Sequence, residues 1–306
     1  MTQRSGLDWI LFGILTLLWA SAYAFTRLAV SRDVPELGLP PALIISARLT
    51  LGAFILLGVA FVSGQKWPPL KDWHSWLAMG VMGGIGTAAP FYVITTAQQT
   101  VNSSLAALYV AAAPLFVAIL AHLIFTDDRL TPRSVAGLLV GFCGVGLLLG
   151  PDAIQNFGSA SVTAQLLCLL GTAFYAIATI TARSAKEIPS FVFAAGFVSF
   201  AAMLSWPLLL WVDFTALTPS RLSLAGVFGL ALGPTALASV VYLILVSRTR
   251  ATFLSMTGYT IPVASTIIGY LAFKELQTSL AVLAFGLILF GIFLSQSTPR
   301  KASLKA

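Results

Sequence analysis

Long apolar runs fill almost the whole chain and are broken at intervals by Pro, Gly, Asn or charged residues. Each run has close to the ~20 apolar residues that a helix needs to cross a bilayer, and the breaks are turn signals. The pattern therefore predicts an all-α membrane protein with ten transmembrane helices. Their expected ranges are 8–31, 41–63, 73–97, 102–124, 132–150, 162–183, 190–212, 222–246, 253–273 and 278–296.

The composition supports this interpretation. Of the 306 residues, 58% are hydrophobic and only 9% are charged, whereas a soluble domain has about 25% charged residues. The net charge of +7 comes from basic residues that lie singly in short connections, so we relate it to membrane orientation and not to nucleic acid. The expected partners are the lipid bilayer and a small-molecule substrate. We expect no cofactor and no metal, and the sequence does not distinguish a monomer from a homodimer.

Basic residues are distributed unevenly between the two sets of connections. With the N-terminus inside, twelve of the 17 Lys and Arg residues fall on the side that includes 66–71 and 300–305. Cytoplasmic loops carry the excess of Lys and Arg. The sequence therefore predicts a multi-pass protein of a bacterial-type inner (plasma) membrane with both termini cytoplasmic.

An internal repeat divides the chain. Three pairs share an offset of 148: Pro114 with Pro262, Phe125 with Phe273, and Asp127 with Glu275. Gly80 to Ala89 also resembles Gly226 to Ala236, and Trp19 to Arg27 matches Tyr175 to Arg183 in spacing. We predict five-helix repeats at 1–150 and 151–306, the second ending in a basic cytoplasmic tail. An odd number of spans inverts the second repeat, which is common in secondary transporters.

The same residues resemble the EamA-type drug/metabolite transporters, over about 10–150 and 162–296. The matching segments are Ala97 to Ser104, Pro114, Asp127 to Thr131, Ser247 to Thr252, Pro262, Lys274-Glu275 and Arg48 to Gly52. Asp127 in place of Glu, together with Leu49 and Gly52, departs from the family pattern. The resemblance implies ten helices around a central cavity and export of amino acids or related metabolites, most like the aromatic amino-acid exporters.

No Asp or Glu lies in the central part of any predicted span, which disfavours an antiporter of cationic drugs, since such a protein needs a buried carboxylate. Aromatic, hydroxyl and amide side chains can instead hold a zwitterion without burying a full charge. The substrate-binding candidates are Trp19, Tyr23, Arg48, Tyr92, Thr96, Gln99, Tyr109, Tyr175, Thr179, Tyr242 and Tyr259. The competing interpretations are interfacial aromatic belts, hydroxyls that tie helices together and, for Arg48, snorkelling to the outer interface.

Prolines interrupt four of the predicted spans and remove a helix hydrogen bond at each position. They are Pro90, Pro114, Pro234 and Pro262. We predict hinges at these residues, against the alternative of static kinks.

The function that these observations favour is a secondary transporter that exports amino acids with aromatic or apolar side chains by alternating access. One alternative is an exchanger of phosphorylated or nucleotide-linked metabolites, which would require several cavity cations. Another, from a different class, is an intramembrane enzyme or lipid-handling protein. No catalytic residue is proposed, because H-E-x-x-H, G-x-S-x-G and P-loop patterns are absent from the sequence.

Overall fold

The computed structural model describes residues 6–31, 33–125, 130–150, 159–184, 188–249, 251–254 and 256–296, and these form helices without any strand. The helical segments are α1 (Gly6–Val30), α2 (Pro41–Val62), α3 (Trp73–Ala97), α4 (Ser103–Ile124), α5 (Pro132–Leu149), α6 (Ala160–Ser184), α7 (Ser190–Trp211), α8 (221–248), α9 (Thr257–Phe273) and α10 (Ser279–Gln296). Short helices occupy Pro35–Leu37, Phe214–Ala216 and Ala251–Leu254.

Each helical segment coincides with a predicted span, because the Pro, Gly and Asn breaks in the sequence are where the helices end. Within the described residues, the eight segments α1 to α8 are long and apolar enough to cross a membrane. α9 has 17 residues, and the part of α10 at Ser279–Ser295 counts as a shorter apolar helix. A multi-pass membrane protein is therefore confirmed, while the count of ten spans stays a prediction.

The packing of the helices is symmetric when the two predicted halves are exchanged. α1 packs on α8 and α9, and the corresponding α6 packs on α3 and α4. α2 packs on α7, and α5 packs on α10, so each of these helices contacts its own counterpart. The joint between the halves at 151–158, the acidic turn at 126–129 and the basic tail at 297–306 lie outside the described residues.

The contact between α5 and α10 is a close approach of two helix backbones. A Cβ added at Gly291 would lie 2.5 Å from the Gly137 carbonyl oxygen and 2.5 Å from the Gly141 amide nitrogen. A Cβ at Gly144 would lie 2.8 Å from the Ala284 carbonyl oxygen. Small residues permit this approach in membranes, where helix association depends on van der Waals contact.

Irregular helix turns occur at related places in the two halves. α3 contains a π-helical turn at Gly84–Ala88, and α8 contains one at Ala231–Leu237. In each turn a threonine, Thr87 or Thr235, donates its hydroxyl to the carbonyl five residues earlier. These two threonines are 148 residues apart, the offset of the sequence repeat. Because π-turns within α-helices are frequent at functional sites, these turns direct attention to the adjoining side chains.

The four predicted hinge prolines lie at or beside helix irregularities. Pro90 follows the π-turn of α3, and Pro234 lies inside the π-turn of α8. Pro114 begins the second part of α4, after the break between Val110 and Ala113. Pro262 lies inside α9. Movement at these prolines stays a prediction.

Candidate functional site

Arg48 is buried in the interior of the helix bundle. Arg48 lies on α2 and is 5% exposed. Its guanidinium therefore does not extend along the lipid face to the interface, as snorkelling requires. Its Nε donates a hydrogen bond to Thr235 Oγ1 at 2.7 Å, and its guanidinium carbon lies 3.9 Å from the centre of the Phe91 ring. Thus α3 and α8, with the π-turn of α8, hold the guanidinium in place.

Within the described residues, no carboxylate pairs with Arg48, because the ion pairs there involve Arg27 and Arg248. Burying an ion is costly unless a partner compensates it. A hydroxyl and an aromatic face compensate only part of that cost. The site therefore has a positive charge that remains available to an anionic group.

Aromatic side chains from both halves meet along one face of α1. Trp19 and Tyr23 are one helical turn apart on that face. The Trp19 ring lies 5.5 Å from the Tyr242 ring of α8, and Tyr23 is within electrostatic range of Tyr175 on α6 and of Arg48. Tyr175 also makes an edge contact with Phe91, at 6.4 Å between ring centres. Trp19 and Tyr242 thus form one aromatic contact between α1 and α8, and Tyr175 is connected to Arg48 through the Phe91 ring.

Trp19 differs from the other tryptophans of the chain in its position. The chain has seven tryptophans, and six of them lie at or near helix ends, as interfacial anchors do. Those six are Trp9, Trp67, Trp73, Trp76, Trp206 and Trp211. Trp19 lies in the middle of α1, where an interfacial role does not explain it.

Two adjoining cavities open at the end of the bundle where α1 finishes and α2 begins. The first, of about 400 Å³, is lined by Ala42, Tyr92, Trp211 and their neighbours. The second, of about 360 Å³, is lined by Gln99, Leu39, Trp211 and their neighbours. Tyr92 and Gln99 therefore lie where a small molecule could enter from this end.

The remaining candidates are placed differently. Tyr109 is fully buried between α4 and α6, where its hydroxyl donates to Gln165, so it belongs to the core and lines neither cavity. Thr96 and Thr179 bond to the carbonyls of Tyr92 and Tyr175, one turn earlier in their own helices. Tyr259 packs against the same core cluster as Tyr109.

Thr235 and Phe91 were not among the candidates predicted from the sequence. Thr235 could have been found from the repeat, since its counterpart at the offset of 148 is Thr87. Phe91 carries no such signal, because a phenylalanine in an apolar helix has no sequence feature that distinguishes a cation contact from a lipid contact.

A second polar cluster ties together α1, α4 and α9 at the end where the cavities open. Glu275, directly after α9, is 7% exposed and accepts hydrogen bonds from the backbone and hydroxyl groups of Ser103 and Ser104 at the start of α4. Arg27 bridges Glu275 and Asp33.

Burial alone would raise the pKa of the Glu275 carboxyl. The hydrogen bonds from Ser104, Ser103 and Arg27 outweigh burial and lower that pKa below its ordinary value. The carboxylate at the start of α4 also faces the positive end of the helix dipole. The Glu275 carboxylate is therefore ionised, and in that form it stabilises the contact among the three helices.

Comparisons with known proteins agree with a helical membrane bundle of this kind. The chain matches the EamA-like transporter family twice, over residues 7–150 and 162–296, and it belongs to that family. Each of its halves is thus one copy of the family's repeat, and the class of the protein is a membrane transporter.

The relatives are distant and most of them lack an assigned substrate. The inner membrane transporter YedA of Escherichia coli K12, described as uncharacterized, is 25% identical, covering 93% of this chain and 90% of its own. The aromatic amino acid exporter YddG of Ancylobacter novellus is 25% identical, covering 82% of this chain and 86% of its own. A crystal structure 22% identical superimposes with a TM-score of 0.64 over 96% of this chain and 97% of that one, which supports the fold.

Proposed function

We propose that this protein exports amino acids with aromatic or apolar side chains by alternating access. Its ten spans form two inverted five-helix repeats, 1–150 and 151–306, with both termini cytoplasmic and the substrate held between the halves. In inverted-repeat transporters the substrate lies near the membrane midplane at the interface of the repeats. The exchange symmetry of the helix contacts supports this arrangement.

The observation that carries the proposal is the aromatic face of α1. The Trp19 ring contacts that of Tyr242, which comes from the other half of the chain, and Tyr23 lies one turn further along the same face of α1. Trp and Tyr provide large apolar walls with one polar edge each, and their faces attract an ammonium group. An amino acid with an aromatic or apolar side chain matches both properties. A distant relative, YddG, is named an aromatic amino acid exporter.

The test is efflux from proteoliposomes over a panel of amino acids, phosphorylated metabolites and nucleotide sugars. Wild-type protein should transport tryptophan or phenylalanine in preference to the phosphorylated compounds. Trp19→Ala should lower the rate at subsaturating substrate about tenfold, since an aromatic contact with its buried area contributes ~1–3 kcal/mol. Trp73→Ala is the matched control, because Trp73 lies exposed at the start of α3.

Thermal stability separates the possible explanations. Trp19→Ala should unfold near the wild-type temperature if Trp19 acts on the substrate. If Trp19→Ala is both unstable and inactive, Trp19 is a core residue. In the transport assay, activity limited to phosphorylated compounds would instead favour the exchanger of phosphorylated metabolites.

A further inference from the structure

A single glycine determines how closely α2 approaches the π-turn of α8. A Cβ added at Gly52 would lie 2.6 Å from Thr235 Cγ2, well inside ordinary contact distance. Gly52 is one helical turn beyond Arg48, on the same side of α2. The glycine therefore lets α2 come near enough for Arg48 Nε to reach Thr235 Oγ1.

Thr235 has no freedom to move away from a larger side chain at position 52. Its hydroxyl donates to the Leu230 carbonyl at 2.8 Å while it accepts from Arg48. Rotating the side chain to relieve the contact would move Oγ1 and break both hydrogen bonds. A larger residue at position 52 would therefore displace Thr235 and break its hydrogen bond to Arg48.

The guanidinium in this geometry has unused hydrogen-bonding capacity. Among the described residues, Nε is the only guanidinium nitrogen of Arg48 with a hydrogen-bond partner. The N–H groups of its two terminal nitrogens are therefore free to donate to a ligand. Two parallel N–H groups of arginine match the two oxygens of a carboxylate.

The first cavity is lined by the helices that hold Arg48. Ala42 lines that cavity and precedes Arg48 by six residues, about 9 Å along the helix. Tyr92 lines the same cavity and adjoins Phe91, whose ring underlies the guanidinium. The two helices that carry Arg48 and Phe91, α2 and α3, therefore also line this cavity.

We propose that Arg48 is the subsite for the carboxylate of the substrate, and that Thr235 and Gly52 are positioning residues that aim its guanidinium. Phe91 closes one face of the guanidinium, so the anion binds in the plane of the terminal nitrogens. The proposal deepens the proposed function and rests on it for the identity of the substrate, although the recognition of an anion is independent of the side chain.

The test compares three indole compounds by the stabilisation that each gives to purified protein against thermal unfolding. Tryptophan carries a carboxylate and an ammonium, indole-3-propionate carries only the carboxylate, and tryptamine carries only the ammonium. Acetate and inorganic phosphate serve as anions without a side chain. Wild-type protein should bind tryptophan and indole-3-propionate about 10- to 100-fold more tightly than tryptamine, the range for a hydrogen-bonded charge.

Variants assign the preference to particular residues. Arg48→Gln should abolish the preference for the carboxylate, and Arg48→Lys should retain part of it, because Lys keeps the charge and loses the paired donors. Gly52→Ala and Thr235→Val should lower the affinity for tryptophan and leave that for tryptamine unchanged. Gly58→Ala should have no effect, because nothing lies within 4 Å of a Cβ at this second glycine of α2.

Each outcome decides the matter. An unchanged preference in Arg48→Gln, or a wild-type protein that no carboxylate stabilises, overturns the proposal. Stabilisation by phosphate but by no carboxylate overturns the carboxylate assignment. If acetate and indole-3-propionate stabilise the protein through Arg48 but no amino acid is transported, the subsite stands and the proposed function fails. If Arg48→Gln does not fold, Gly52→Ala and Thr235→Val still give the comparison.

Discussion

The contact between α5 and α10 can be tested by adding a single methyl group. In Gly291→Ala, the new Cβ would lie 2.5 Å from two backbone atoms of α5 and 2.6 Å from the Gly141 Cα. Ordinary contact begins near 3.4 Å, and backbone atoms cannot turn aside as side chains can. The two helices would therefore have to separate by about 1 Å, an overpacking that costs ~1–3 kcal/mol.

The helix propensity of alanine offsets part of this cost. Ala stabilises a helix by about 1 kcal/mol relative to Gly, so we expect a net destabilisation of up to ~2 kcal/mol for Gly291→Ala. Gly286→Ala, on the same helix, is the matched control because nothing lies within 4 Å of a Cβ there. That variant should be as stable as wild type or slightly more stable.

The assay is reversible unfolding in mixed micelles with increasing SDS. The two variants gain the same helix propensity and should differ by the overpacking cost of ~1–3 kcal/mol, or about 5- to 160-fold in the unfolding equilibrium. On α5, Gly144→Ala and Gly146→Ala form a second pair, since only Gly144 faces α10. Equal stability of Gly291→Ala and Gly286→Ala would refute the close approach of the two helices.

Three further predictions concern topology, coupling and pH. Single cysteines placed at 155–160 should react with an impermeant reagent in intact cells, while those at 66–71 should not; labelling at 66–71 would reverse the orientation. Transport in proteoliposomes should follow the substrate gradient without an imposed pH difference, because the described carboxylates lie at helix ends; strict dependence would point to His74 or His122. Because the pKa of Glu275 is lowered on folding, its contribution is present in full above the ordinary pKa and is lost as the pH falls through the lowered one. Glu275→Gln should therefore reduce stability at neutral pH and flatten the loss of wild-type stability below about pH 4.5; an unchanged acid profile would show that Glu275 does not cause that loss.

The sequence by itself determined the class of the protein, the places of its helices and its repeat. Apolar run length decides whether a helix can span a bilayer, and that quantity is local. The breaks at Pro40, Asn102 and Thr131 are also local signals, and α2, α4 and α5 begin directly after them. Paired prolines and acidic residues at a fixed offset indicated the two halves that the family comparison also finds.

Tertiary structure alone decided which side chains face one another. Lipid is as apolar as a protein core, so a membrane helix lacks the division into polar and apolar faces that marks the interior side of a soluble helix. For this reason the sequence left Arg48 between an interior and an interfacial position, and both Tyr109 and Tyr92 were predicted to bind the substrate. In the structure Arg48 contacts Thr235 and Phe91. Tyr109 lies in the core, whereas Tyr92 lines a cavity. Contacts between helices that are distant in the chain, and not local periodicity, fix these positions.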